Sequence, residues 1–90
     1  MTHYRLNNNK EAIRDNTRAI ELDPEHAMAY NNRAIILESM GDNKAALSDY
    51  AKAIKLNPKE PSFRGNRGIL YQKIRNYKGA EDDFQHALMA

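Results

Sequence analysis

The chain predicts an all-α fold, an α-solenoid of antiparallel helix pairs built from about two and a half 34-residue repeats. Three observations predict it. The segment NRAIIL at 32–37 returns as NRGILY at 66–71, 34 residues later. That interval is far longer than the periods of about 3.6 or 2 residues that a helix or a strand imposes. Sliding the whole chain by the same interval aligns many more columns. Pro24 meets Pro58, Ala12 meets Ala46 and Ala80, Ala19 meets Ala53 and Ala87, and Ile20 meets Ile54 and Leu88. Asp15, Asp49 and Asp83 share one column and Lys10, Lys44 and Lys78 another, so a structural unit is being copied. The third observation is internal to each unit: apolar residues recur at i, i+4 and i+7, as in Tyr30, Ala34 and Leu37.

The unit boundaries fall at 1–26 for a partial repeat, 27–60 for a full one and 61–90 for a nearly full one. In the first unit the opening helix is expected to be only a stub, residues 1 to about 6. The second unit opens with a helix from Glu25 to Met40, with Asp23 as its N-cap and Pro24 in the first turn. Gly41-Asp42-Asn43 ends that helix and caps the next, which runs to about Leu56. Asn57-Pro58 stops it, because a residue preceding proline is pushed out of helical ψ. Pro61 then opens the third unit, Arg75-Asn76 turns it, and a last helix starts near Tyr77.

Reflection about each turn predicts which residues face one another. Around residue 41 it sets Arg33 against Asp49, and around 40 it sets Ala34 against Ala46 and Tyr30 against Tyr50. In the next unit Arg67 faces Asp83, and Gly68 faces Ala80. Small residues on both sides allow a close helix approach of about 8–10 Å. Arg33, Asp49, Arg67 and Asp83 are therefore expected to be structural ion pairs. The arginine that would answer Asp15 falls before residue 1, which leaves Asp15 solvated or paired with Arg5.

These columns resemble the tetratricopeptide repeat (TPR) family, whose pattern is Trp-x₂-Leu-Gly-x₂-Tyr, then Ala-x₃-Phe, then Pro. The second unit supplies Tyr30, Arg33, Ala34, Leu37, Ala46, Tyr50 and Pro58; the third supplies Arg64, Arg67, Gly68, Tyr71, Ala80 and Phe84. Arg replaces the family's Leu in both units, Arg64 replaces the usual aromatic, and Asn16 replaces the aromatic of the first unit. The resemblance implies a scaffold for protein–protein interaction, with a peptide or partner helix on a concave face lined by the first helix of each unit. Asn32 and Asn66 are similar to the asparagine ladder of O-linked N-acetylglucosamine transferases, where amides donate to and accept from a peptide backbone. The competing reading is that each amide bonds its own or a neighbouring helix. Asn31, Ile35, Glu38, Ser62, Ile69, Gln72 and Lys73 are expected on the same surface. Ser62 and Asn66 stand where the carboxylate clamp of chaperone-binding members needs Lys and Arg, which argues against that clamp. The resemblance also implies apolar surface left open at the ends, so the rival function is structural: stacking on other copies or within a longer array.

Other chemistries find little support. The chain has no cysteine, which excludes disulfides and thiolate metal sites. His3, His26 and His86 lack metal-ligand spacing, and there is no phosphate loop or nucleophile elbow. Asp82 and Asp83 would point about 100° apart on a helix, not at one proton. Neither an enzyme, a cofactor nor a small-molecule substrate is expected. A net charge of +2, from 14 basic and 12 acidic residues, is too small to argue for nucleic acid. No apolar run approaches the roughly 20 residues of a membrane span, and the N-terminus lacks a signal peptide's apolar core. A cytoplasmic home, or a nuclear one, is the expectation by default.

Overall fold

The computed structural model describes residues 6–89. They form five helices: α1 Leu6–Leu22, α2 Ala27–Ser39, α3 Asn43–Leu56, α4 Pro61–Lys73 and α5 Tyr77–Met89. Helices α2 and α3 make one antiparallel hairpin and α4 and α5 the next, with α1 packed on α2 and α4 packed on α3. No Cα pair within 8 Å joins α1 to α3 or α3 to α5. Each helix therefore leans on its sequence neighbours, apart from a limited approach of α4 to α2.

The helix ends follow local chemistry. The α2–α3 turn is a Schellman motif: the N–H of Asp42 donates to Leu37 O at 2.9 Å and that of Gly41 to Glu38 O at 3.0 Å. Gly41 adopts φ +88°, which costs glycine nothing. Asp42 then caps α3 by accepting from the Ala45 N–H at 3.3 Å. One repeat on, the same turn is built without glycine. Arg75 takes φ +66°, with Arg75 N–H on Gln72 O at 3.0 Å and Asn76 N–H on Tyr71 O at 2.7 Å. A left-handed L-residue costs about 1–2 kcal/mol. Arg75→Gly should therefore raise stability by up to about 1 kcal/mol, read as a higher urea midpoint at unchanged m. An unchanged or lower midpoint would contradict this account of the turn.

Two boundaries depart from the sequence expectation. Asp23 does not cap α2. Its carboxylate accepts from the Glu25 N–H at 3.1 Å and its carbonyl from the His26 N–H at 3.0 Å, closing a turn around Pro24. His26 is the cap instead, Nδ1 accepting from the Ala29 N–H at 3.3 Å. At the other end, Leu6, where the stub is expected to finish, is already the first residue of α1. The rest of the stub, and Arg5, lie outside the described residues. Asp15 itself is exposed.

The core consists of two clusters, each built from α2, α3 and α4. Ala34, Ala46, Tyr50 and Leu70 form the first, with Leu37 and Leu47 against it. Ala53, Ile54 and Phe63 form the second, joined by Ala27 and Tyr30. Ala34 and Ala46 share a cluster, as reflection about the turn requires, but Tyr30 and Tyr50 do not. Tyr50 turns forward to meet Leu70 of the following hairpin, while Tyr30 packs against the cluster holding Phe63. In the last hairpin the small residue serves an aromatic ring. A Cβ built on Gly68 would stand 2.7 Å from Phe84 Cε1, so the ring lies directly on the α4 backbone.

Candidate functional site

The site begins with two ion pairs that hold each hairpin shut. Arg33 Nε donates to Asp49 Oδ2 at 2.7 Å and Nη2 to Oδ1 at 2.9 Å. Arg67 repeats the bidentate geometry on Asp83, both bonds at 2.8 Å. Parallel N–H···O⁻ bonds of this kind fix orientation as well as charge. The hydrogen bond to the carboxylate, helped by its charge and opposed by burial, raises the pKa of each guanidinium. Arg33 also donates from Nη1 to Thr17 Oγ1 at 3.1 Å, so one side chain ties α1, α2 and α3 together. Thr17 carried no sequence signal, because the contact crosses from one repeat to the next.

Aromatic rings are taken up by this scaffold. The Arg33 guanidinium carbon lies 5.7 Å from the Tyr30 ring centre, and that of Arg67 lies 5.6 Å from Tyr71. Lys52 approaches Tyr30 at 6.0 Å. Such contacts add modestly to packing at partly exposed sites.

Between α2 and α4 lies a shallow depression of about 260 Å³, with α3 contributing Tyr50. Ile35 and Ile69 line it, one repeat apart and 44% and 46% exposed. Glu38, Ser39, Asn66 and Lys73 complete it. Five of the residues expected on the concave surface are thus brought together: Ile35, Glu38, Asn66, Ile69 and Lys73. Asn32 and Ser62 are exposed outside the lining, and Ser62 Oγ donates to Glu60 Oε2 at 2.7 Å. Gln72 faces a different depression, on the far side of α4.

The polar groups of this surface are largely committed to one another. Asn66 Nδ2 donates to Asn31 Oδ1 at 3.2 Å, and Asn31 is buried. Asn66 therefore bonds the neighbouring helix, the competing reading of its role, and is not poised with a free amide. Lys73 Nζ stands 2.6 Å from Glu38 Oε2, and Tyr50 OH donates to Glu38 Oε1 at 2.7 Å. The Glu38 side chain is only 9% exposed, so these two donors offset the cost of burying its charge. Burial, reinforced by the bond to Glu38, pushes the Tyr50 phenol well above its ordinary range, so it remains a donor. Both lateral links, Asn31 to Asn66 and Glu38 to Lys73, span 35 residues, one more than the repeat. Successive first helices thus meet with a one-residue offset.

No group of three or more acidic or histidine side chains is placed to hold a metal ion among the described residues. No described helix is long and apolar enough to cross a membrane.

Stacked antiparallel hairpins joined only to their neighbours define an α-helical repeat solenoid. Residues 27–60 match the family model described as Tetratricopeptide repeat, so the chain carries a TPR unit at its centre. Two solved structures are similar over most of the chain. One, titled "Crystal structure of MamA", has a TM-score of 0.87 at 27% identity, covering 93% of this chain and 49% of that one. The other, "Crystal structure of MamA protein", has a TM-score of 0.85 at 27% identity, covering 93% and 46%. The chain therefore spans about half the length of these MamA chains. Among curated proteins, none matches. TPR units are in general protein–protein interaction modules.

Proposed function

We propose that the α2–α4 face binds a peptide segment or helix of a partner protein, whose apolar side chain seats between Ile35 and Ile69. One observation carries this reading. Two isoleucines in equivalent positions of successive repeats remain nearly half exposed and line the same depression. A stable fold has no need to leave them there, and peptide-binding grooves combine such apolar contacts with a few placed polar groups. Here the polar groups are the free carbonyl capacity of Asn66 and the ammonium of Lys73, whose side chain is 60% exposed. The groove holds both charge signs, so the partner segment is neutral or weakly acidic. Asn32 and Ser62, both exposed, extend the contact beyond the depression.

The test is selection of peptides from a random display library, followed by affinity measurements on Ile35→Asp and Ile69→Asp. Each should weaken selected peptides by about tenfold or more, a charge having been placed against an apolar side chain. Helicity should be unchanged, because neither isoleucine belongs to a core cluster. Peptides that bind both variants as well as the native chain would remove the reading. Asn32→Ala isolates the amide contribution. Asn66→Ala does not, since it strips a hydrogen bond from buried Asn31. The rival, an idle groove in a stack of copies, predicts sedimentation that changes with concentration.

A further inference from the structure

The two partners of the Glu38–Lys73 contact are held unequally. The Glu38 side chain is 9% exposed, and the Tyr50 hydroxyl donates to its Oε1 at 2.7 Å. The Lys73 side chain is 60% exposed, and its one ion pair among the described residues is with Glu38 Oε2. An ion pair with an exposed member is worth little, so Lys73 leaves easily, whereas a buried carboxylate needs a donor in its place. The rest of the depression offers mainly acceptors. Tyr50 OH is engaged with Glu38, Ser39 Oγ donates to Ile36 O at 2.8 Å, and Asn66 Nδ2 donates to Asn31. What these side chains keep for a ligand are oxygens: Glu38 Oε2, Ser39 Oγ and Asn66 Oδ1. Helices α2 and α4 both end here, at Ser39 and Lys73, and add the partial negative charge of their C-termini.

We infer that this end of the depression receives an arginine side chain of the partner segment, whose guanidinium displaces Lys73 and takes over Glu38 Oε2. The inference rests on the α2–α4 face being the partner-binding surface. Arginine suits the site better than lysine, because its guanidinium brings several donors to several acceptors and is the more weakly hydrated cation. Its apolar stem lies along the exposed isoleucines Ile35 and Ile69, which line the same depression. From Ile35 to Glu38, and from Ile69 to Lys73, is roughly one helical turn, a rise of about 5 Å. Residues two apart in an extended segment share a face and stand about 6–7 Å apart. The arginine is therefore two positions from the apolar residue seated between the isoleucines. The freed Lys73 ammonium takes an acidic residue of the same segment, which keeps that segment neutral overall.

The probe is n-butylguanidinium, an arginine side chain without its peptide, compared with n-butylurea, its uncharged isostere. Titrated into the full chain, the guanidinium should shift the methyl resonances of Ile35 and Ile69 and saturate at about 1–10 mM. The urea should bind about tenfold or more weakly. Lys73→Met should tighten the guanidinium by about two- to fivefold, since the resident competitor is gone. Glu38→Gln should erase the preference for guanidinium over urea. Where that variant does not fold, the urea comparison and Lys73→Met decide the matter. The inference is overturned by absent saturation, by equal binding of the urea, by a Lys73→Met variant that binds no better, or by a folded Glu38→Gln that keeps the preference. Failure here is distinct from failure of the groove itself. Library peptides that stay sensitive to Ile35→Asp and Ile69→Asp, yet lose nothing when citrulline replaces arginine, leave the apolar docking intact and overturn the arginine site alone.

Discussion

Phe63→Ala is expected to lower the free energy of unfolding by about 3–5 kcal/mol. The ring is 1% exposed and stands at the seam between hairpins, against Ala53 and Ile54, with Ala27 and Tyr30 closing over it. Truncation forfeits the transfer free energy of the ring and leaves a cavity. Two of its neighbours, Ala27 and Ala53, have no side-chain rotamers with which to fill the space, so part of the cavity stays open. A 90-residue chain holds only about 5–13 kcal/mol in all. Urea unfolding measures the effect. A midpoint shift at constant m means that the stack still unfolds as one unit, and a reduced m means that α4 and α5 come away separately. A loss below about 1 kcal/mol would show that Phe63 does not anchor the seam.

Asp49→Ala is expected to cost about 2–3 kcal/mol, somewhat under the range for a fully buried pair because the Arg33 side chain is 23% exposed. The variant strands a guanidinium that bridges three helices, leaving it Thr17 as a hydrogen-bond partner. Proton loss offers no relief. The fold raises the Arg33 pKa, so its share of the stabilisation persists at every pH below the guanidinium's ordinary range and is lost only as pH rises beyond it. Removing both charges, as Arg33→Met with Asp49→Ala, should recover much of the loss. A double-mutant cycle therefore measures the pair directly. Additive single losses would show that the two side chains do not act together.

What could be read from the chain, and what could not, divides along the geometry of the stack. Contacts inside a hairpin are mirror images about a turn, and a turn can be located from Gly41-Asp42 or Arg75-Asn76. The ion pairs and the meeting of Ala34 with Ala46 therefore follow from counting. Contacts between hairpins depend on how one pair of helices twists and slides over the last. That quantity has no one-dimensional signature. Asn66 reaches Asn31, 35 residues back and so one more than the repeat, and Tyr50 meets Leu70 of the following hairpin. One clue did exist: Asn31 is a polar residue immediately beside the core column of Ala34, and a buried amide requires a partner. On the concave surface, spacing identified Ile35 and Ile69, but Tyr50 passed as core alone. It is both, its ring packed inward and its hydroxyl turned to Glu38. The helix cap moved from Asp23 to His26 because two turn-forming bonds at Asp23 outcompete one capping bond.

The neighbour-only layout has a mechanical consequence. Pulled at its two ends, the molecule transmits tension through one seam after another, since no helix spans the whole length to share the strain. Each hairpin is riveted internally by its arginine–carboxylate pair. The seam between α3 and α4 is held by side-chain packing and, from α2 to α4, by one amide bridge and one exposed ammonium contact. Extension should thus open the gap between Ile35 and Ile69 before either hairpin separates. A ligand lodged there would act as a wedge or a clasp between the two hairpins.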